Sequence, residues 1–493
     1  MSVPHPIAPI ARIALALALL PLAAAPAGAQ SVADAQQAGL RHASALQGDV
    51  ERMAMELWDH SEIALREIES AELLATVLED EGFVVERGVA DMPTAFVATF
   101  GSGAPVVGIL AEFDALPGIG NAAVPRKEPR TDGHLHGQGC GHNLFGAASV
   151  AAAIAVKRTI EELGIAGTVK LFGTPAEETV VGKVYMVRDG VFDGVDAVLE
   201  WHPGLETKIT NNPGLAMNNF EVEFFGQAAH GAADPWNGRS ALDAVELMND
   251  AVNLMREHVR PTTRIHYVIP AGGEAPNVVP EYARVWYYVR DTARVSVEQY
   301  YAWLLNIAEA AALATRTEHE VTLTTGVHEY NLNRPLQEAL QANLEAVGEA
   351  PFSEEDQAFA RELQEFLGLE TKGLAAEIKP LPEKPEPPSG GSTDVAEVSW
   401  ITPTAGLGVT TAAAGVPWHS WATAASHGTP GAVRGAQVAA RVLAMTGAQL
   451  LVDAELRQAA QAVFEESTEG KPYQSPLPLG QKPPVPADIG GGR

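Results

Sequence analysis

Apolar residues recur at helical spacing between about residues 30 and 78, where Met53, Leu57, Leu73, Leu74 and Val77 sit among charged positions. Short runs rich in β-branched and aromatic residues follow at 83–85, 95–100 and 106–110 and predict strands. The stretch 146–163 is alanine-rich and free of proline, which predicts a buried helix. It leads to two further predicted strands, 168–173 and 197–201. Strands alternating with helices imply an α/β fold built on an open, mainly parallel sheet.

The pattern changes near residue 212. Alternation over 219–225 predicts a strand, 241–255 a helix, 264–268 and 283–289 strands, 297–314 a helix and 320–325 a strand. This β-α-β-β-α-β order describes a small α+β (ferredoxin-like) sandwich inserted into the larger domain. After residue 326 the α/β pattern resumes, broken by a Pro- and Glu-rich loop over 379–389. The expected division is a leader at 1–29, a first catalytic part at 30–212, an inserted lid at 213–325, and a second catalytic part at 326–447. A C-terminal helix and a Pro/Gly-rich tail fill 448–493, with the tail from about Tyr473 expected to wrap or hang without regular structure.

The leader changes the cellular picture. Arg12 precedes an apolar run, 13–20, and the segment closes on Ala27-Gly28-Ala29, the layout of a secretory signal cleaved before Gln30. The apolar run is short for a bilayer span. No other stretch reads as a membrane span, so a periplasmic or secreted protein is expected. Export agrees with a single cysteine, Cys140, which can form no internal disulfide. Hydrophobic residues make up 46% and charged residues 19%, enough for a sizeable core. The formal charge of -29 argues against a phosphate-binding surface and hence against a nucleic-acid partner.

Candidate chemistry lies at the predicted strand ends. Gly139-Cys140-Gly141-His142-Asn143 opens the alanine-rich helix, and thiolate and imidazole are both ligands for zinc-like ions. Taken alone, the pair reads equally well as a helix entry with a buried thiol. Glu177-Glu178 follows strand 168–173, where one carboxylate can bind metal while the other moves protons. An acidic helix start would look the same. His202 ends strand 197–201, and Pro417-Trp418-His419-Ser420 follows a strand-like run, 406–411. Strand ends of open α/β sheets are where ligands bind. The series Cys-x-His, Glu-Glu, His, His, each at a strand end, is far more specific than any of its parts. Asp114, after strand 106–110, can accept a hydrogen bond from a liganding imidazole and fix its tautomer.

These residues lie in GILAEFDALPG, GCGHNLFGAAS, FGTPAEE, EWHPG, GQAAHGAADPWNGRSALDA, APNVVPEYARVWYYVR, GSTDVAEVSWITPT and PWHSW. Together these strings resemble the aminoacylase and carboxypeptidase G superfamily of di-metal hydrolases. More narrowly they look like its aminobenzoyl-glutamate hydrolase branch, over nearly all of the chain after the leader. The resemblance implies that Cys140, His142, Glu178, His202 and His419 hold two divalent metal ions, zinc or manganese. It implies that Glu177 is the general base and that Asp114 orients a ligand. It further implies that His230 reaches the site from the lid to stabilise the oxyanion, that Asn277 and Arg290 grip the substrate, and that the lid forms a homodimer. Arg290 matches a carboxylate-binding position, yet by sequence it can equally pair with Asp291 or Glu281. His427 competes with His419 as last ligand, with His419 favoured by its place after Pro417-Trp418. Glu112, Asp394 and Glu397 have no clear role, with a structural one expected for Asp394 and Glu397. His134 and His136 read as loop residues.

The expected function is therefore hydrolysis of a small amide: an N-acyl amino acid, an aminobenzoyl-glutamate-like conjugate or a dipeptide. Three rivals remain in view, the blandest being an acidic protein that merely retains the fold. A cysteine hydrolase built on Cys140 would leave the paired glutamates and two histidines without a task. A non-catalytic metal- or ligand-binding protein of the same fold would be expected to lose the base.

Overall fold

A computed structural model describes residues 1–3 and 31–490. Apart from its first three residues, the leader read at 1–29 lies outside the described residues. The chain opens with three helices, α1 (Val32–Ala45), α2 (Gln47–His60) and α3 (Ile68–Asp80). Then follow strands β1 (Val84–Arg87), β2 (Phe96–Ser102) and β3 (Val106–Ala111), helix α4 (His142–Leu163), strand β4 (Gly167–Gly173), helix α5 (Gly182–Arg188), and strands β5 (Ala197–Gly204) and β6 (Lys208–Ile209).

The insertion comprises β7 (Ala216–Phe225), α6 (Ala241–Met255), β8 (Arg264–Ala271), β9 (Tyr282–Asp291), α7 (Arg294–Thr315) and β10 (Glu318–Val327). The chain then returns through α8 (Arg334–Val347), α9 (Glu354–Phe366), α10 (Val395–Ser399), β11 (Thr404–Thr410), α11 (Trp421–Ser426), α12 (Pro430–Val452) and α13 (Ala454–Ser467).

The large sheet has the order β1-β2-β4-β3-β5-β11-β6. Its centre, β4-β3-β5-β11, is parallel, and the outer strands β1, β2 and β6 run antiparallel to their neighbours. Sequence-distant strands β5 and β11 pair side by side, which brings His202 and the segment after Thr410 to one edge of the sheet. Helix α4 is buried along nearly its whole length, because alanine lets it lie close against its neighbours. It begins at His142, one turn earlier than the alanine pattern indicates, since Gly141 takes a left-handed φ of 86° and starts the helix.

The insertion has its own four-stranded antiparallel sheet, order β10-β7-β9-β8, and its own core. Phe220, Val222, Val285, Tyr287 and Val289 point from the sheet onto α6 and α7. Among the described helices, α12 alone is long and apolar enough to cross a bilayer, but 78% of its apolar window is buried inside the fold, against α1, α4 and α8. The Pro-rich tail wraps back: Tyr473 donates to Glu397, and Gln481 Nε2 donates to the Tyr185 hydroxyl at 3.0 Å.

Candidate metal centre

Four of the site's segments leave the C-terminal ends of the parallel strands β3, β4, β5 and β11. The Cys140 loop joins them at the start of α4. After β3, Asp114 is buried and takes two bonds. Its Oδ1 lies 2.9 Å from His142 Nδ1, and its Oδ2 accepts the Glu178 backbone N–H at 2.9 Å. One carboxylate thereby fixes both the imidazole and the acidic pair. With Nδ1 held by Asp114, His142 Nε2 is buried and faces Glu112 Oε2 at 3.2 Å.

The acidic pair occupies a strained turn. Ala176 and Val180 bracket Glu177–Thr179 with φ of 59° and 57°, a region costly for valine. Glu67, which the sequence pattern does not single out, supports this turn. It is buried, and it accepts the Ala176 N–H at 2.9 Å and the Thr94 hydroxyl at 3.1 Å.

His202 Nδ1 lies 2.7 Å from the Pro203 carbonyl, so its Nε2 faces Cys140 Sγ, 3.4 Å away. Trp418 Nε1 donates to the same sulfur at 3.3 Å. His419 Nε2 stands 3.5 Å from Glu178 Oε2, while Glu178 Oε1 is buried without a partner. Three groups of potential ligand atoms each lie within 4.8 Å of one another: Cys140, His142 and His202; Cys140, Glu178 and His419; Glu112, His142 and Glu177. Cys140 belongs to the first two groups. Orphaned ligand atoms and a sulfur–nitrogen–oxygen donor set fit divalent transition ions.

Electrostatics point the same way. Burial, with Glu178 and Glu177 adding to it, pushes the Cys140 thiol up to about 12. Burial first and neighbouring Glu112 next hold Glu177 well above the ordinary carboxylate range. Burial also takes His202 down to about 4, which keeps its imidazole neutral and able to ligate. Bound cations would reverse the cost of placing several anionic groups together.

Behind these groups lies a charge network that sequence pattern alone does not reveal. Lys183 Nζ is 2.7 Å from Glu112 Oε1 and 2.5 Å from Asp394 Oδ1, and Glu112 Oε2 reaches to 3.2 Å from His142 Nε2. Burial opposes the Lys183 charge, but Asp394 and Glu112 more than offset it and its pKa is raised. A lysine inside the apolar run Val180–Val187 was the available signal. Glu397 is buried and binds His328 Nδ1 at 2.8 Å, a structural bond between the residue after β10 and α10.

Several candidates lie elsewhere. Both nitrogens of His427 are occupied, Nδ1 at 2.7 Å from the Gln138 carbonyl and Nε2 at 3.2 Å from Thr411 Oγ1. His134 and His136 sit in the loop before Cys140. In the lid, His230 is exposed and its Nδ1 accepts from the N–H groups of Ala232 and Ala233, each at 3.1 Å. Asn277 is its neighbour through the Gly231 N–H to Asn277 carbonyl bond of 2.8 Å. Arg290 lies over the Tyr288 ring at 5.4 Å with its Nε buried and unpartnered, and it forms no ion pair with Asp291 or Glu281 among the described residues. Asp291 is engaged instead by Thr262, Thr263 and Thr292.

A cavity of about 530 Å³ opens beside Cys140, Glu177, His202 and His419, and none of the three lid residues lines it. A larger depression, about 610 Å³, runs along β1 and β2 away from all of these groups.

The pattern that defines Peptidase family M20/M25/M40 matches residues 108–480, a span that contains every one of these strand-end segments. The chain belongs to this family. It is 38% identical over 468 residues to one of the subunits of the p-aminobenzoyl-glutamate hydrolase of Escherichia coli K12, covering 89% of this chain and 97% of that one. It is 31% identical to Xaa-Arg dipeptidase of Mus musculus, over 62% of this chain and 69% of that one. In fold it is similar to the Bacillus subtilis YXEP protein, described as a dinuclear metal binding peptidase of the M20 family. The TM-score is 0.50 at 20% identity, covering 81% of this chain and 99% of that one. The M20 family member described here is accordingly a hydrolase of amide or peptide bonds.

Proposed function

We propose that this hydrolase is an exported two-metal amidohydrolase acting on an N-acyl amino acid, an aminobenzoyl-glutamate-like conjugate or a dipeptide. The observation that carries the reading is that Cys140, His202 and His419 line the cavity with Glu177, while His142 and Glu178 share ligand clusters with Cys140 just behind it. These five residues would hold two divalent ions, zinc or manganese. His419 is taken as the last ligand because His427 has no free nitrogen. Ions bound there supply Lewis acidity toward water and the amide carbonyl.

The chain's own groups do the rest. Glu177, held in its strained turn by Glu67 and Asp114, takes a proton from the attacking water and returns it to the leaving amine. Asp114 holds the His142 tautomer and so its ligating face. His230 would stabilise the oxyanion, with Asn277 and Arg290 binding the substrate. None of them lines the cavity, so this needs lid movement or a second chain. A homodimer through the lid is the family-like arrangement. The Escherichia coli relative is one of two kinds of subunit, which makes a different companion chain the other possibility. Leu247, Leu254, Val268 and Ile269 are exposed on the lid, on α6 and the edge strand β8.

A thiol mechanism is not supported, because burial keeps Cys140 protonated near neutrality when no cation is bound. The deciding experiment is hydrolysis by the chain lacking residues 1–29, using N-acyl amino acids, aminobenzoyl-glutamate and dipeptides. It is run before and after chelation, with zinc or manganese added back. Activity lost on chelation and restored by one ion supports the reading, and activity indifferent to chelation overturns it. N-terminal sequencing of the cell-derived protein tests export: a chain beginning at Met1 would refute cleavage before Gln30.

A further inference from the structure

Strand β5 delivers two side chains to the cavity. His202 stands among the ligating groups, and two residues earlier Glu200 forms part of the wall. Glu200 is only 4% exposed, its carboxylate forms no described hydrogen bond or ion pair, and Lys183 acts on it only as a longer-range charge. It belongs to none of the three ligand clusters. Its side chain leans over Gly406, its register partner on β11, where a Cβ would fall 1.5 Å from a Glu200 oxygen. The glycine is thus the space that the carboxylate occupies. Tyr330 Oη and Ser392 Oγ, in residues lining the same cavity, are also buried and without partners. Among the described residues, no lysine or arginine lines it.

Buried polar groups are nearly always satisfied, and a buried carboxylate without a cation is among the costliest exceptions. A wall of one acidic group, which an adjacent cation would ionise, and two unpartnered hydroxyl oxygens offers hydrogen-bond acceptors toward the cavity. An ammonium group carries three donors and one positive charge, which matches that set.

Resting on the reading of this cavity as the amide-binding site, we propose that Glu200 is a specificity-determining residue that accepts an ammonium group of the substrate. The hydrolysed amides then carry a protonated amine close to the scissile bond, with the Tyr330 and Ser392 hydroxyls as further acceptors.

The test uses the metal-loaded full chain and two matched pairs of probes. Acetyl-lysine and acetyl-norleucine differ by an ammonium on the amine side. β-Alanyl-norleucine and propionyl-norleucine differ by one on the acyl side. Binding is measured by calorimetry in a Glu177→Gln chain, and kcat/KM is measured with Glu177 intact. The ammonium-bearing member of at least one pair is expected to bind about tenfold or more tightly, as a charge-assisted hydrogen bond requires. Adding Glu200→Gln should abolish that preference and leave the uncharged probes within about twofold of their former affinity. Equal or absent binding within both pairs overturns the proposal. So does a preference that survives Glu200→Gln, or a loss of all four probes together. If Glu200→Gln does not fold, Tyr330→Phe takes its place, with an expected drop in preference of about threefold, and no drop overturns the proposal. A binding preference without any turnover would sink the amidase reading while leaving the ammonium site standing.

Discussion

Lys183 Nζ stands 2.7 Å from Glu112 Oε1, and both side chains are shut off from water. The lysine also pairs with Asp394, so one buried cation serves two carboxylates, one of which touches the His142 imidazole. Replacing it with methionine leaves two buried carboxylates without compensation. The Lys183→Met chain should lose about 3–5 kcal/mol of stability, measured by urea unfolding of the metal-free protein. Lys183→Met combined with Asp394→Asn should recover part of that loss. A single variant as stable as the parent would show that the network is not ionised.

Asp114 is bonded at once to His142 Nδ1 and to the Glu178 backbone N–H. Asp114→Asn keeps the shape, but it weakens the acceptor toward the imidazole and offers an N–H where an acceptor is needed. Metal affinity is expected to fall about 10–100-fold, as for other carboxylates behind a liganding histidine. Competition with a chromophoric chelator reads this directly. Undiminished affinity would remove Asp114 from the metal centre.

Much of this arrangement is legible in the sequence because the ligating groups sit just beyond β-rich runs, where chain direction and sheet packing force side chains to one edge. Cys140, Glu178, His202 and His419 are separated by up to 279 residues in sequence, yet Glu178, His202 and His419 follow or close strands and Cys140 opens the alanine-rich helix, all elements whose pattern is clear. The supporting groups are less visible. Lys183 looks like a surface lysine until Glu112 and Asp394 are seen around it, and lysine is rarely buried unless paired. Glu67 acts on a turn 109 residues away that no local pattern announces. Arg290 illustrates the converse. Its neighbours in sequence, Asp291 above all, are drawn off by threonines, and strand alternation turns the arginine to the opposite face of the sheet.

The two C-terminal histidines differ in what they touch, so their removal should have different consequences. His427 bonds to the Gln138 carbonyl and the Thr411 hydroxyl and is fully buried, whereas His419 is half-exposed and faces Glu178. His427→Ala should cost about 1–3 kcal/mol of stability from its unpaired partners, with metal stoichiometry retained. His419→Ala should retain stability in the metal-free state and lose one metal equivalent by elemental analysis. The reverse pattern would exchange their roles.

The metal-free protein should also respond to pH in an unusual direction. Burial pushes Glu200 up to about 8, and burial likewise raises Glu67 and Glu178 above the ordinary carboxylate value of 4.5. Between these limits the folded chain holds more protons than the unfolded one, so stability falls as pH rises. The favourable contribution is fully present below about 4.5, and it is lost as pH passes through the raised values near 8. Metal-free chain should therefore melt highest near about pH 5 and drop by several degrees toward about pH 8. Metal-loaded chain should show a shallower decline, because a bound cation favours the ionised form of Glu178. Melting curves for both forms across this range make the comparison. A metal-free melting temperature that rises with pH would mean that these carboxylates are not buried as the structure shows.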